Sequence, residues 1–124
     1  MSNLKVNQVT ADTWLNSDGS ENYKVRAWAD IAVVSGIPSV RAAGNVSSIT
    51  DKGVGAYAVN FTKALPSSRY AILLNAADVD NHGDAYIAAS NSDTEKTTSS
   101  SSFYTAGGNG KFDPPFMSVA VVGG

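Results

Sequence analysis

The sequence predicts an all-β fold, an antiparallel β-sandwich of jelly-roll-like or small-barrel form with an extended N-terminal arm. Apolar residues recur at period two in a series of short runs. Gly, Asn, Asp and Pro interrupt those runs at near-regular intervals, and no window sustains a helical period. At 124 residues the chain is long enough to fill one core and too short to fill two. The organisation expected is an arm over residues 1–22 followed by a single sandwich domain over residues 23–124.

The arm alternates Leu4, Val6 and Val9 among polar neighbours and ends in the turn formers Asn16, Ser17, Asp18 and Gly19. It has too few apolar residues for a core of its own, so it adds to a sheet edge or docks on another chain. Tyr23 to Val34 is the longest predicted strand. Tyr23, Val25, Ala27, Ala29, Ile31 and Val33 share one face, and Lys24, Arg26, Trp28, Asp30, Ala32 and Val34 the other. A Trp among charged residues implies that a partner covers this face or that the indole rests on its neighbours' stems. A break at Ser35-Gly36-Ile37-Pro38 precedes predicted strands over Ser39 to Ala43 and Val46 to Thr50. The stretch Asp51-Lys52-Gly53-Val54-Gly55 is hairpin chemistry, its glycines supplying positive φ, and leads into Ala56 to Thr62. There Tyr57, Val59 and Phe61 oppose Ala56, Ala58 and Asn60, as in a half-buried strand. Past Pro66, the run Arg69 to Ala76 sets Tyr70, Ile72 and Leu74 against Ala71, Leu73 and Asn75. Two further strands are expected over Ala85 to Ser90 and Lys96 to Thr105; the second is Ser/Thr-rich and reads as an edge strand or exposed loop. Phe116 to Val122 closes the fold.

Composition narrows the function. With no Cys and a single His, His82, disulfides, thiol catalysis and His-pair metal sites are excluded. A net charge of −2 with 16% charged residues provides no excess of Lys and Arg to neutralise phosphates, so no nucleic-acid partner is expected. The N-terminus lacks a charged start followed by an apolar stretch, which predicts synthesis in a cytoplasm without export, and the apolar runs are too short for membrane insertion.

The loop Asp78-Val79-Asp80-Asn81-His82-Gly83-Asp84 alternates acids around a Gly as a calcium loop does, but Ala89 stands where the bidentate Glu is needed. The expectation is solvated turn carboxylates, with no metal and no cofactor. Of the acidic residues only Asp30 lies inside a clear strand, and no nucleophile elbow, phosphate loop or zinc motif occurs, so no enzyme is expected. Asn45-Val46-Ser47 and Asn60-Phe61-Thr62 match the glycosylation pattern by chance in so Asn-, Ser- and Thr-rich a chain. Trp14, Tyr86, Phe103, Tyr104 and Phe112 could form a sugar-stacking surface or a subunit interface, since each ring is apolar on its faces.

The segments Arg26-Ala27-Trp28, Val40 to Thr62 and Ala64-Leu65-Pro66, with Tyr70, resemble a known family. So do the opening Ser2-Asn3-Leu4-Lys5-Val6-Asn7 and the ending Val119-Ala120-Val121-Val122-Gly123. The family is that of small virion proteins and fibre tips of tailed bacteriophages, especially marine and cyanobacterial ones. Its members carry a Lys-Ala-Trp-Val-Asn-Phe strand, an Asn-Val-Ser-Ser-Ile-Thr-Asp hairpin and a Met-Pro before a Tyr-containing strand. Here Ala29-Asp30-Ile31 replaces Val-Asn-Phe and Leu65 replaces Met, which preserves the strand pattern. The resemblance implies a virion location and a homo-oligomer, a trimer, anchored to other virion proteins through its arm. It further implies a tail-fibre or tip module, but the loops at 78–84 and 91–113 have no counterpart in the family, so the contact residues expected are read from this chain alone: Asp78, Asp80, His82, Asp84, Tyr104 and Phe112 meeting host-surface glycan, with Trp14 and Trp28 at the subunit interface. A capsid decoration protein is the alternative reading, and a glycan depolymerase a more distant one.

Overall fold

The computed structural model describes residues 25–77, 86–89 (backbone only), 96–107 and 110–123, together with Lys5, Asn7, Gln8, Leu15 and residues 17–19. Most of the expected arm over residues 1–22 therefore lies outside the described residues. Among them run nine strands: β1 Val25–Val34, β2 Ile37–Gly44, β3 Val46–Gly53, β4 Ala56–Phe61, β5 Tyr70–Ala76, β6 Tyr86–Ala89, β7 Ser100–Gly107, β8 Gly110–Lys111 and β9 Phe116–Gly123. They form two antiparallel sheets, β2-β1-β9-β5 (sheet I) and β3-β4-β7-β6 (sheet II), the second carrying β8 beside β7. The predicted all-β, two-sheet fold is present.

Period two decides what each strand buries. Ala27, Ala29 and Ile31 of β1, Met117, Val119 and Val121 of β9, and Tyr70 of β5 turn inward from sheet I. Tyr57, Val59 and Phe61 of β4 and Phe103 of β7 meet them from sheet II. Edge-to-face packing of Phe61 on Tyr70, with centroids 6.0 Å apart, joins the sheets. Full burial of side chains such as Ile31 and Val121 stabilises the fold by about 1.5–3 kcal/mol apiece. Val25, expected on the inner face, is 55% exposed at the end of its strand.

Connections follow from local chemistry. Ser35 and Gly36, at φ 52° and 76°, make the two-residue turn between β1 and β2, and Val34 pairs with Ile37 across it. Between β2 and β3 the chain passes from one sheet to the other through a single residue, Asn45, at φ 56°. Its side-chain Nδ2 donates to the carbonyls of Arg26 (3.1 Å) and Lys63 (3.0 Å), and its Oδ1 accepts from the Lys63 amide at 2.7 Å. Asn tolerates the left-handed region because its amide can bond locally. The other sequon Asn, Asn60, donates to the Ser48 and Thr50 hydroxyls, both at 3.0 Å.

The serine-rich segment is neither an edge strand nor an exposed loop. Strand β7 lies between β4 and β6, with Ser101 and Thr105 fully buried and Ser102 8% exposed. Ser101 pairs with Val59 and Ser102 with Ala58. The strand also begins later than predicted. Thr97 Oγ1 accepts from the amides of Ser99 (3.2 Å) and Ser100 (3.0 Å), a local turn that separates Lys96 from β7. The Tyr70 hydroxyl donates to the Thr97 carbonyl at 2.9 Å and docks this turn on sheet I.

Asn45→Ala removes both the tolerated φ and the side-chain bonds, so it should lose about 2–3 kcal/mol in urea unfolding, and Asn45→Gly, which restores only the backbone freedom, about half as much. Equal losses in the two variants would contradict the corner described above.

Candidate functional site

Asp78, Asp80, His82 and Asp84, expected to contact a receptor, lie outside the described residues, as does Trp14. Phe112, placed by sequence in the same contact set, is 3% exposed and faces the protein interior. The reason is the segment around it. Thr105 Oγ1 donates to the Phe112 carbonyl at 2.6 Å, the Thr105 amide donates to the Gly55 carbonyl at 2.8 Å, and the Gly55 amide donates to Asp113 Oδ1 at 2.9 Å. Gly55 sits at φ 65°, and a Cβ there would lie 2.5 Å from the Thr105 carbonyl oxygen, so only glycine fits. The Tyr57 hydroxyl donates to the same Asp113 oxygen. Burial, then the Asp113 hydrogen bond and charge, push the Tyr57 phenol far above its ordinary range. Burial raises Tyr70 as well. Both rings are inside the sandwich, at 0% and 3% exposure, and Tyr57 also contributes to the lining of a small cleft on sheet II.

Tyr104 is half-buried on the outer face of sheet II, with Lys111 Nζ 5.5 Å above its ring centroid. It lines a small cleft of about 230 Å³ with Lys52, Ser102 and Lys111, in which Lys52 Nζ donates to Ser102 Oγ at 3.1 Å.

The more developed surface is the outer face of sheet I. Strand order puts β9 between β1 and β5, and register then stacks residues in rows across three strands. Trp28, Ala120 and Leu73 form one row; Asp30, Ser118 and Asn75 form the next. The small side chains of Ala120 and Ser118 make the floor of a trough of about 450 Å³, walled by Trp28 and Asp30 on one side and Leu73 and Asn75 on the other. One row is apolar and the adjacent row polar, and the walls stand two strand spacings apart, about 9.5 Å.

Two devices hold the β1 wall. The pyrrole edge of Trp28 is seated on the bare Cα of Gly44: a Cβ at that position would come 2.3 Å from the indole nitrogen. The indole therefore sits over Gly44 of β2, and Trp28 remains 44% exposed. Second, the β1–β2 register slips beside Asp30, leaving Arg41 as a bulged extra residue. A bulge re-aims its side chain. Arg41 Nη2 donates to Asp30 Oδ1 at 2.7 Å, and the guanidinium lies 5.9 Å from the Phe116 ring centroid. At nearly half exposure this ion pair contributes under about 1 kcal/mol, so its effect is to orient Asp30.

Beyond the trough the same face is apolar at the hairpin end: Val34 and Ile37 are each 68% exposed and Phe116 51%. Sequence reading had singled out Trp28 and Asp30 but not Leu73, Asn75, Ser118 or Gly44. The β1–β2 hairpin brings Gly44 to Trp28, and the non-local pairing of β9 with both β1 and β5 brings Leu73, Asn75 and Ser118 there. Among the described residues no three His, Cys, Asp or Glu side chains gather as metal ligands would. Comparison of the chain with protein-family models, curated proteins and solved structures finds no match.

The raised Tyr57 phenol gives stability a defined alkaline dependence. Below pH 10 the group is protonated in both states; above it the unfolded chain ionises first, so stability falls with rising pH by up to about 1.4 kcal/mol per pH unit for each such tyrosine. Tyr57→Phe should be less stable at neutral pH, through the donor lost to Asp113, yet show a shallower decline above pH 10 in urea midpoints. An unchanged alkaline slope would contradict a buried, protonated Tyr57.

Proposed function

We propose that the chain is one subunit of a non-enzymatic bacteriophage virion protein, a homotrimeric tail-fibre or fibre-tip module that attaches the particle to glycans on a host surface. The observation that carries this reading is the outer face of sheet I. Trp28, Leu73, Phe116, Val34 and Ile37 are large apolar side chains between 44% and 68% exposed on one side of one sheet. A lone domain has no use for such a set in water, whereas interaction surfaces are built from it. The resemblance at Arg26-Ala27-Trp28 and the β3–β4 hairpin supports the virion assignment. In this reading the hairpin end, with Val34, Ile37 and Phe116, meets neighbouring copies. Multiplying a shallow site by three then supplies avidity that a single copy lacks.

Light scattering should give three times the mass of the chain, and the fluorescently labelled oligomer should sediment with a host envelope fraction. A monomer at micromolar concentration, or labelling of phage heads without envelope binding, would contradict the reading. Val34→Asp and Ile37→Asp should each weaken association by about tenfold or more, the effect of forcing a charge into an apolar contact, read as concentration-dependent dissociation in sedimentation velocity.

A further inference from the structure

We infer that the trough between Trp28 and Leu73 is a binding site for a neutral pyranoside. The inference rests on the attachment reading for its biological setting, and on the geometry for its chemistry. A pyranose presents a patch of C–H groups on one face and hydroxyls around its rim. The trough presents the complement. Trp28 offers an exposed indole whose electron-rich face attracts polarised C–H groups, with Ala120 and Leu73 completing an apolar row. One row along the strands, Asp30, Ser118 and Asn75 supply an acceptor and two groups that both donate and accept. Asp30 Oδ1 takes the Arg41 hydrogen bond, while Asp30 Oδ2 and the side chains of Ser118 and Asn75 have no hydrogen-bond partner among the described residues.

The polar row selects for charge. Asp30 disfavours a carboxylate or sulfate placed directly against it, while Arg41 offsets its charge at longer range, so the preference expected is for a neutral sugar over an acidic one by contact. Arg41 holds the carboxylate from the outside of the trough, and its hydrogen bond to Oδ1 leaves the second oxygen for ligand hydroxyls. Gly44 is the positioning residue: by admitting the indole edge at a place where any Cβ would collide with it, it sets the lean of the β1 wall. A cleft this open is shallow, which fits weak binding by one subunit and firm binding only by the oligomer.

The test is a set of ¹⁵N-resolved NMR titrations of the intact protein with methyl α-D-glucopyranoside, methyl α-D-mannopyranoside and methyl β-D-galactopyranoside, with methyl glucuronoside as the charged comparison. At least one neutral probe should move the indole N–H signal that Trp28→Phe removes, together with the amides of Leu73 and Asn75, saturating in the millimolar range. Trp28→Ala should abolish saturation, Asn75→Ala and Gly44→Ala should each weaken binding several-fold, and Val54→Ala, at an exposed turn outside the trough, should leave it unchanged. The inference is overturned if no neutral probe moves those signals, if the glucuronoside binds equally well, or if Trp28→Ala and Asn75→Ala bind as the unaltered protein does. It is also overturned if Trp28→Ala dissociates the oligomer without any sugar response in the parent, which would make this face a contact between copies. Envelope binding separates the two readings. If Trp28→Ala still binds envelope, attachment stands and the trough does not; if sugars occupy the trough but envelope is not bound, the trough stands and attachment does not.

Discussion

A β-strand that buries one set of alternate side chains has no freedom over the other set, and that constraint runs from the core of this protein to its outer surface. Burying Ala27, Ala29 and Ile31 commits Trp28 and Asp30 to the opposite face of β1. Burying Val119 and Val121 puts Ser118 and Ala120 on the same side, and turning Tyr70, Ile72 and Leu74 inward leaves Leu73 and Asn75 beside them. The trough is thus the reverse of the core. A one-residue slip in any of the three strands would remove a wall or floor while exposing core residues to water, so core packing and the outer site share one register.

Two local structures protect that register. Asn45 carries the chain from sheet I to sheet II in one left-handed step, bonding to Arg26 on one side and Lys63 on the other. At the other side of sheet II, Gly55, Tyr57 and Asp113 fasten the β3–β4 hairpin to the segment that leads into β9. That segment delivers β9 to the centre of sheet I. Three of the departures from ideal geometry, positive φ at Asn45 and Gly55 and the bulge at Arg41, sit where a sheet must be exited, a segment fastened or a side chain re-aimed.

Much of the fold is legible in single residues. The alternation of Tyr57, Val59 and Phe61, and that of Tyr70, Ile72 and Leu74, reads directly as inner faces, and the glycines at 53 and 55 mark the hairpin between β3 and β4. Strand β7 does not read as buried because Ser101 and Ser102 carry no apolar signal; their burial comes from the place of β7 between β4 and β6, which is a property of the partner strands. Phe112 was misread for a related reason. Its neighbours Gly110 and Asp113 look like loop chemistry, yet Asp113 is bound to Gly55 and Tyr57. At the candidate site, Trp28 and Asp30 stood out as a Trp and an acid inside one strand. Leu73, Asn75 and Ser118 did not, since residues more than forty positions away become neighbours only when β9 inserts between β1 and β5. Gly44 gave no signal at all without the indole above it.

We propose that the outer face of sheet I is a ligand surface whose apolar and polar rows are fixed by the packing beneath it. A crystal structure of the assembled protein with a neutral oligosaccharide released from the host envelope tests it most directly. The account predicts a sugar ring stacked on the Trp28 indole, its hydroxyls bonded to Asp30, Ser118 and Asn75, in each subunit. A Trp28 buried against a neighbouring subunit, with sugar bound elsewhere, would contradict it.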